Sequence, residues 1–155
     1  MSQTPRTSQA ELLLEYQFQA QPSELCKVRQ KLREALDRRC TSESQVNCII
    51  LAVGEACMNI IQHAYGTEDQ GDIILEVKKQ GDNLTFRLTD FARRKTCMEE
   101  MQSRSLEEVR PGGLGCHLIN EIMDEVSLVE CGNDAVRGRE CGNVLQMKKC
   151  LKDDR

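Results

Sequence analysis

Tryptophan is absent from this chain of 155 residues, and three phenylalanines and two tyrosines are its only aromatic rings beyond histidine. A protein that stacks single-stranded bases on aromatic platforms needs more of them. An excess of basic charge is missing too: 21 Lys and Arg stand against 25 Asp and Glu, interspersed along the chain, for a net charge of −4. A nucleic-acid-binding domain would show a dominant basic footprint, so direct nucleic-acid binding is not expected. Long apolar runs are also lacking. The longest aliphatic stretch, CIILAV at 48–53, falls far short of the roughly 20 residues that span a bilayer, and the polar start MSQTPRTSQA has no signal core. The expectation is a cytoplasmic protein with no membrane segment.

Nine cysteines are present, but their number is odd and no C-x-x-C occurs. A chain of this size buries roughly 70% of its unfolded surface and needs no covalent staple, so the cysteines are read as reduced thiols. Cys48 and Cys57 fall inside apolar helical patterns, where free cysteine acts as a small buried hydrophobe. Two histidines, with Cys131 and Cys141 in repeated CGN tripeptides, make a poor zinc ligand set.

Residues 1–9 read as a flexible tail, and residues 10–155 as a single domain. ELLLEYQFQ at 11–19 ends in a strand-like alternation of Tyr16 and Phe18 with polar neighbours. A helix follows Pro22 and Ser23, with Leu25, Val28, Leu32, Ala35 and Leu36 on its apolar face. Thr41 or Ser42 can cap a second helix through QVNCIILAVGEACMNIIQHAY, which is apolar on most of its circumference. DIILEVKK, the turn GDN at 81–83 and LTFRLTD form a hairpin with one buried face. Phe91 to Pro111 is charged and long enough to serve as a lid. GGLGCHLINEIMDEV at 112–126 is a glycine-led helix, and SLVEC and NVLQMKKCL are two further strands. Strand, two helices, two strands, loop, helix and two strands suit an α/β two-layer sandwich: a mostly antiparallel, mixed sheet with helices on one face.

On the second helix Glu55, Asn59 and His63 recur every four residues, drifting only about 40° per step. This polar stripe either faces a cavity or lies toward solvent. In the first case the carboxylate can take a proton and the amide oxygen can ligate a hard cation such as Mg²⁺. Asp90 closes a strand, where it serves either as a turn residue or as an acceptor for an exocyclic amine such as adenine's. Three glycines in four positions at 112–115 open a helix whose free N–H groups suit an anion, where a missing Cβ lets phosphate come close.

Together these motifs carry a resemblance. GEACMNIIQHAYG looks like the N-box of the Bergerat-fold (GHKL) ATPases, DFARR like a variant of their first glycine box, and RPGGLGCHLINEIMDEV like the second. From about residue 10 to 150 the chain most resembles the anti-sigma-factor serine/threonine kinases of the partner-switching type. The resemblance implies ATP and Mg²⁺ as cofactors, Glu55 as catalytic base and Asn59 as metal ligand and cofactor contact. Asp90 would read the adenine amine beside Ala92, and Gly112, Gly113, Leu114 and Gly115 would form the phosphate cradle. The implied partners are a STAS-type anti-sigma-factor antagonist, which receives the phosphate, and a sigma factor. A homodimer is a further expectation, with the apolar first strand as an interface. His63 is read as a local hydrogen-bonder and His117 as a surface or packing residue.

Two positions depart from the family pattern. Ala92 stands where the family has a glycine beside the base, and Gly142-Asn143 stands where many members have glycine–threonine. A competing reading is an interaction module that binds nucleotide only to set its shape, or not at all, and works by holding a partner. A detached histidine-kinase ATPase module is a third reading, disfavoured because no phospho-acceptor helix precedes the domain.

Overall fold

The computed structural model describes residues 9–37, 42–65, 71–92, 115–129 and 142–152. Residues 93–111 of the charged segment expected to act as a lid, the glycines at 112 and 113, Leu114, and residues 1–8 lie outside that set. Strand β1 (Glu11–Gln19) leads through a 3-10 turn (Pro22–Glu24) into helix α1 (Leu25–Leu36) and helix α2 (Glu43–Ile60), whose end continues as a π-helical turn (Ile61–Tyr65). Then come β2 (Asp72–Gln80), β3 (Asn83–Asp90), α3 (Gly115–Ile122), β4 (Glu125–Val129) and β5 (Asn143–Cys150).

The five strands form one sheet in the order β1-β2-β3-β5-β4. All four neighbouring pairs are antiparallel, so the expected mixed pairing does not occur among the described strands. The hairpin between β2 and β3 turns on Gly81 and Asp82, with Gln80 opposite Asn83. Gly81 has φ 60, a value that a two-residue hairpin asks of its turn and that glycine accepts without strain.

Side-chain alternation decides which face of the sheet is core. Ile73, Leu75 and Val77 of β2, Leu84, Phe86 and Leu88 of β3, and Leu145 and Met147 of β5 are all buried. Register places Leu75 against Leu88 and Leu88 against Leu145, with Phe86 between Val77 and Met147. Helices cover this face. From α1, Leu25, Val28, Leu32, Ala35 and Leu36 are buried, the five positions that the helical period picks out in the sequence. Ser42 caps α2, its Oγ accepting from the Gln45 N–H at 3.1 Å, which satisfies one of the donors that a helix start leaves over.

By length and composition Glu43–His63 could pass for a membrane-crossing helix, yet half of its most apolar window is buried within the protein. Its apolar face is accounted for by the core: Val46, Ile49, Ile50, Ala52, Val53, Ala56 and Cys57 pack there. The opposite stripe is exposed at Ser44, Asn47, Cys48 and Leu51. Cys48 therefore lies on the solvent side rather than in the core as its apolar neighbours imply, while Cys57 is fully buried.

The helix expected to reach residue 126 ends at Ile122. Met123 makes the last helical bond, to the Ile119 carbonyl at 2.9 Å, and the Asp124 N–H already donates to Lys148 O on β5 at 2.8 Å. Asp124 also accepts from the Cys150 N–H at 2.5 Å. From there the apolar period changes to two, with Val126 opposite Met147 and Leu128 opposite Leu145.

Candidate functional site

The candidate residues lie on three elements, α2, β3 and the start of α3. The core helix α2 packs against α3 and also reaches β3. Asn59, near the end of α2, is one of three buried polar or charged residues among those described, with Thr89 and Asp90 of β3. Glu55, one turn earlier, is half-buried, and His63 lies in the π-helical turn, also half-buried. The stripe therefore runs into the protein at its middle residue rather than lying wholly on the solvent side. Burying an amide among aliphatic side chains costs free energy unless it has a polar partner, and Asn59 is not without an interaction partner.

Asp90 is 2% exposed. Its Oδ1 accepts three hydrogen bonds, each of 3.1 Å: from the Ala92 N–H, the Asn143 N–H and the Asn143 side-chain amide. None of these three donors goes to Oδ2. The backbone is tied as well, the Gly142 N–H donating to Asp90 O at 2.8 Å. Burial pushes the Asp90 carboxyl above the ordinary aspartate value of 3.8, while the Ala92 N–H, the Asn143 amide and the Asn143 N–H pull it back down.

Gly142 explains how β5 can come so close. A Cβ there would lie 2.4 Å from Ala92 O, 2.6 Å from Asp90 Oδ1 and 2.7 Å from Ala92 N. Backbone on one side and a hydrogen-bonded carboxylate on the other leave no room for a methyl. Ala92 itself is 5% exposed and belongs to the hydrophobic core cluster. The methyl group that departs from the family pattern is thus absorbed by the core.

Gly115 is the first residue of α3, so the end of the glycine run lies at a helix start, while Gly112, Gly113 and Leu114 fall outside the described residues. His117 is exposed. The sequence marked Gly142 and Asn143 only as a departure from a pattern, not as the residues that hold Asp90. A usable signal was there: of the two CGN tripeptides, only the second runs directly into an alternating strand. Arg29 also went unnoticed. It reaches from α1 across α2, its Nε 3.4 Å from where a Cβ on Gly54 would stand.

The donor set fits a nucleotide with a hard cation. A carboxylate anchored at one oxygen can accept an exocyclic amine at the other, and an amide oxygen one turn after a carboxylate suits Mg²⁺ better than a soft metal. Among the described residues no group of three His, Cys, Asp or Glu side chains is placed to hold a metal, so these residues alone would not form a full cage. That is the usual situation for Mg²⁺, which keeps waters and phosphate oxygens as ligands.

The histidine kinase-like ATPase domain family matches residues 18–149. The serine-protein kinase RsbW of Bacillus velezensis is 27% identical over 126 residues, covering 74% of this chain and 76% of that protein. RsbW of Listeria monocytogenes serotype 4a is 30% identical over 119 residues, covering 72% and 76%. A crystal structure of the RsbU and RsbW domains of Rv1364c from Mycobacterium tuberculosis superposes with a TM-score of 0.59 at 17% identity. That match covers 89% of this chain and 31% of the solved one, and it establishes a common fold. A five-stranded antiparallel sheet under helices, Glu55 and Asn59 one turn apart on α2, and these matches agree: the chain belongs to the histidine kinase-like ATPase family, among the relatives of the RsbW serine-protein kinases.

Proposed function

We propose that this chain is a protein serine/threonine kinase that moves the terminal phosphate of Mg-ATP onto a hydroxyl of a STAS-type anti-sigma-factor antagonist, and that it also holds a sigma factor. The observation that carries the reading is the buried amide of Asn59 one turn after the half-buried carboxylate of Glu55 on α2. An interaction surface alone has no use for a base beside a buried oxygen ligand.

In this reading Asp90 accepts the exocyclic amine of the base at Oδ2, its Oδ1 being held by Asn143 and Ala92. Asn59 offers its amide oxygen to Mg²⁺, and Gly115, with Gly112, Gly113 and Leu114, contributes to the phosphate cradle. The metal, when bound, supplies charge neutralisation for the transferring phosphoryl group. Glu55 accepts the proton of the acceptor hydroxyl as that oxygen bonds to phosphorus and the bond from phosphorus to the ADP oxygen breaks. Protein surface outside the site, including the edge strand β1, is then available to partners and to a second copy of the chain.

The alternative is a nucleotide-dependent interaction module without transfer; the methyl of Ala92, in place of the family's glycine, is packed in the core and does not by itself favour it. Labelled-phosphate transfer from ATP to a cognate antagonist protein separates the two. Wild-type protein is expected to transfer phosphate, Glu55→Gln to slow transfer by about 10²–10⁴-fold while leaving ATP affinity nearly intact, and Asn59→Ala to impair both. Tight partner binding without any transfer by the wild type would give precedence to the interaction module.

A further inference from the structure

The sheet has a second face, turned away from α1, α2, α3 and Asp90. Along it register aligns two rows: Glu76 of β2, Arg87 of β3 and Gln146 of β5, and next to them Lys78, Thr85 and Lys148. These side chains line a groove of about 310 Å³, with Ala10 and Gln80 at its margin. Three cations and one anion line it, and register sets two further carboxylates on the same face at its margins, Glu15 opposite Glu76 and Glu125 opposite Lys148. The cations thus stand over the middle strands, with Glu15 and Glu125 on the two edge strands.

Two further features make the groove selective. Arg87 Nε donates to Gln146 Oε1 at 2.8 Å, so the plane of the guanidinium is fixed through the one nitrogen that is not part of its terminal fork. A fork held in this way loses little freedom when it takes a phosphate or carboxylate. Lys78 and Lys148 both pair in register with Thr85, from opposite sides. With two strand spacings between them, their backbones stand about 10 Å apart. Two ammonium groups can thus reach inward over the Thr85 hydroxyl from either wall. Lys148 also lies 3.6 Å from Glu125, but a pair between two exposed groups contributes little, and an incoming anion can replace it.

We propose that this groove is a binding site for a compact anion bearing two or more phosphate groups, separate from the nucleotide site on the helical face. Arg87 grips one phosphate with its terminal nitrogens, Lys78 and Lys148 neutralise the charge from both sides, and Thr85 donates its hydroxyl between them. Glu76, opposite Arg87, bounds the groove toward β1 and disfavours longer acidic chains. A site of this kind would let a small phosphorylated metabolite act on the sheet that carries Asp90.

The test is a titration of the ¹⁵N-labelled full chain with inorganic pyrophosphate, read as amide shifts. Saturable shifts are expected at Lys78, Thr85, Arg87, Gln146 and Lys148. Arg87→Gln and Lys78→Gln should each weaken them by about tenfold, the scale of one charge-assisted hydrogen bond. Each variant's dispersed amide spectrum reports that it folds. Pyrophosphate shifts confined to Asp90, Asn143 and Gly115, or outer-face shifts untouched in both variants, would overturn the groove and leave the nucleotide reading standing. Saturable binding of a glutamate-rich peptide without any response to pyrophosphate would overturn it as well. Should the outer face respond as expected while ATP leaves Asp90 and Gly115 unmoved, the groove would hold and the kinase reading would fall.

Discussion

Asn143 holds a single oxygen of Asp90 twice, through its backbone N–H and through its side-chain amide, each at 3.1 Å. The pair joins the end of β3 to the start of β5. It also fixes the rotation of the carboxylate, with Oδ1 taken up within the protein.

Removing the side-chain half of this clamp is expected to cost stability. Asn143→Ala leaves the backbone donor and takes away the amide, and one hydrogen bond to a buried carboxylate is worth about 1.5–3 kcal/mol. Urea unfolding should show that loss, and ATP affinity should fall with it. Asn143→Thr, which returns a hydroxyl donor, should recover part of both. Equal stability of the alanine variant and the wild type would show that the Asn143 amide contributes nothing to holding Asp90.

The raised pKa of Asp90 gives opposite signs to stability and to binding. Burial lifts it above the ordinary value of 3.8, so the folded chain holds this proton more firmly than the unfolded one. The resulting stabilisation is complete below the unfolded value and is lost as pH rises through the folded value. The proposed amine recognition needs the carboxylate and therefore runs the other way. ATP affinity, measured by calorimetry from neutral pH downward, should begin to fall at a pH above the range of an exposed aspartate. Asp90→Asn should bind weakly and without that step. A wild-type profile flat down to the ordinary aspartate range would remove Asp90 from the base-reading role.

Gly142 should tolerate no side chain. In Gly142→Ala the new methyl would lie 2.4 Å from Ala92 O and 2.6 Å from Asp90 Oδ1, and neither is the loose end of a flexible chain. Overpacking of this kind costs about 1–3 kcal/mol, which in a protein of this size lowers Tm by roughly 2–12 °C. Calorimetry would check it, and an unchanged Tm would mean that β5 does not sit this tightly on the loop after β3.

Much of the fold was legible because hydrophobic period and position agree. The five apolar positions of α1 are its buried ones, and the alternation in LTFRLTD is the inner face of β3. The junction of α3 and β4 was not legible. Neither glycine nor proline marks it, and Met123 fits a helical period while Val126 and Leu128 fit a strand; pairing with β5 decides between them. Cys48 was misplaced because a helix that is apolar on most of its surface gives no local clue to its one exposed stripe. In the site, Glu55, Asn59 and Asp90 were visible as residue types at telling positions. The role of Asn143 was not, since it and Asp90 stand 53 positions apart and meet only when β5 joins β3.

Ala92 is a position where a loss of stability need not be a loss of binding. Ala92→Gly removes a methyl that is 5% exposed and packed in the core, and it adds freedom to the unfolded chain; together these should cost about 1–2 kcal/mol. ATP affinity is expected to stay within a few-fold, because the methyl is taken up by the core. A large gain in affinity at unchanged stability would place the methyl against the base instead.

Cys57 and Cys48 lie on one helix, nine residues apart, in opposite surroundings. Cys57 is wholly buried, and desolvation pushes its thiol up to about 12, a rise that the positive charge of Arg29 only partly offsets. The thiolate is the reactive form, so at pH 8 Cys57 stays almost wholly protonated, and alkylating reagents cannot reach it while α2 stays packed. Cys26 and Cys48 are exposed and free. Iodoacetamide added to the native protein should therefore label Cys26 and Cys48 promptly and leave the Cys57 peptide unmodified, as read by mass spectrometry. In denaturant the peptides should label alike. Between these limits the Cys57 rate should follow the free energy of opening α2 from the sheet, so destabilising Gly142→Ala should speed it if the two ends of the core open together. Labelling of Cys57 in the native protein as fast as that of Cys48 would show that α2 does not bury the face assigned to it, and the placement of Asn59 two residues further on would fall with it.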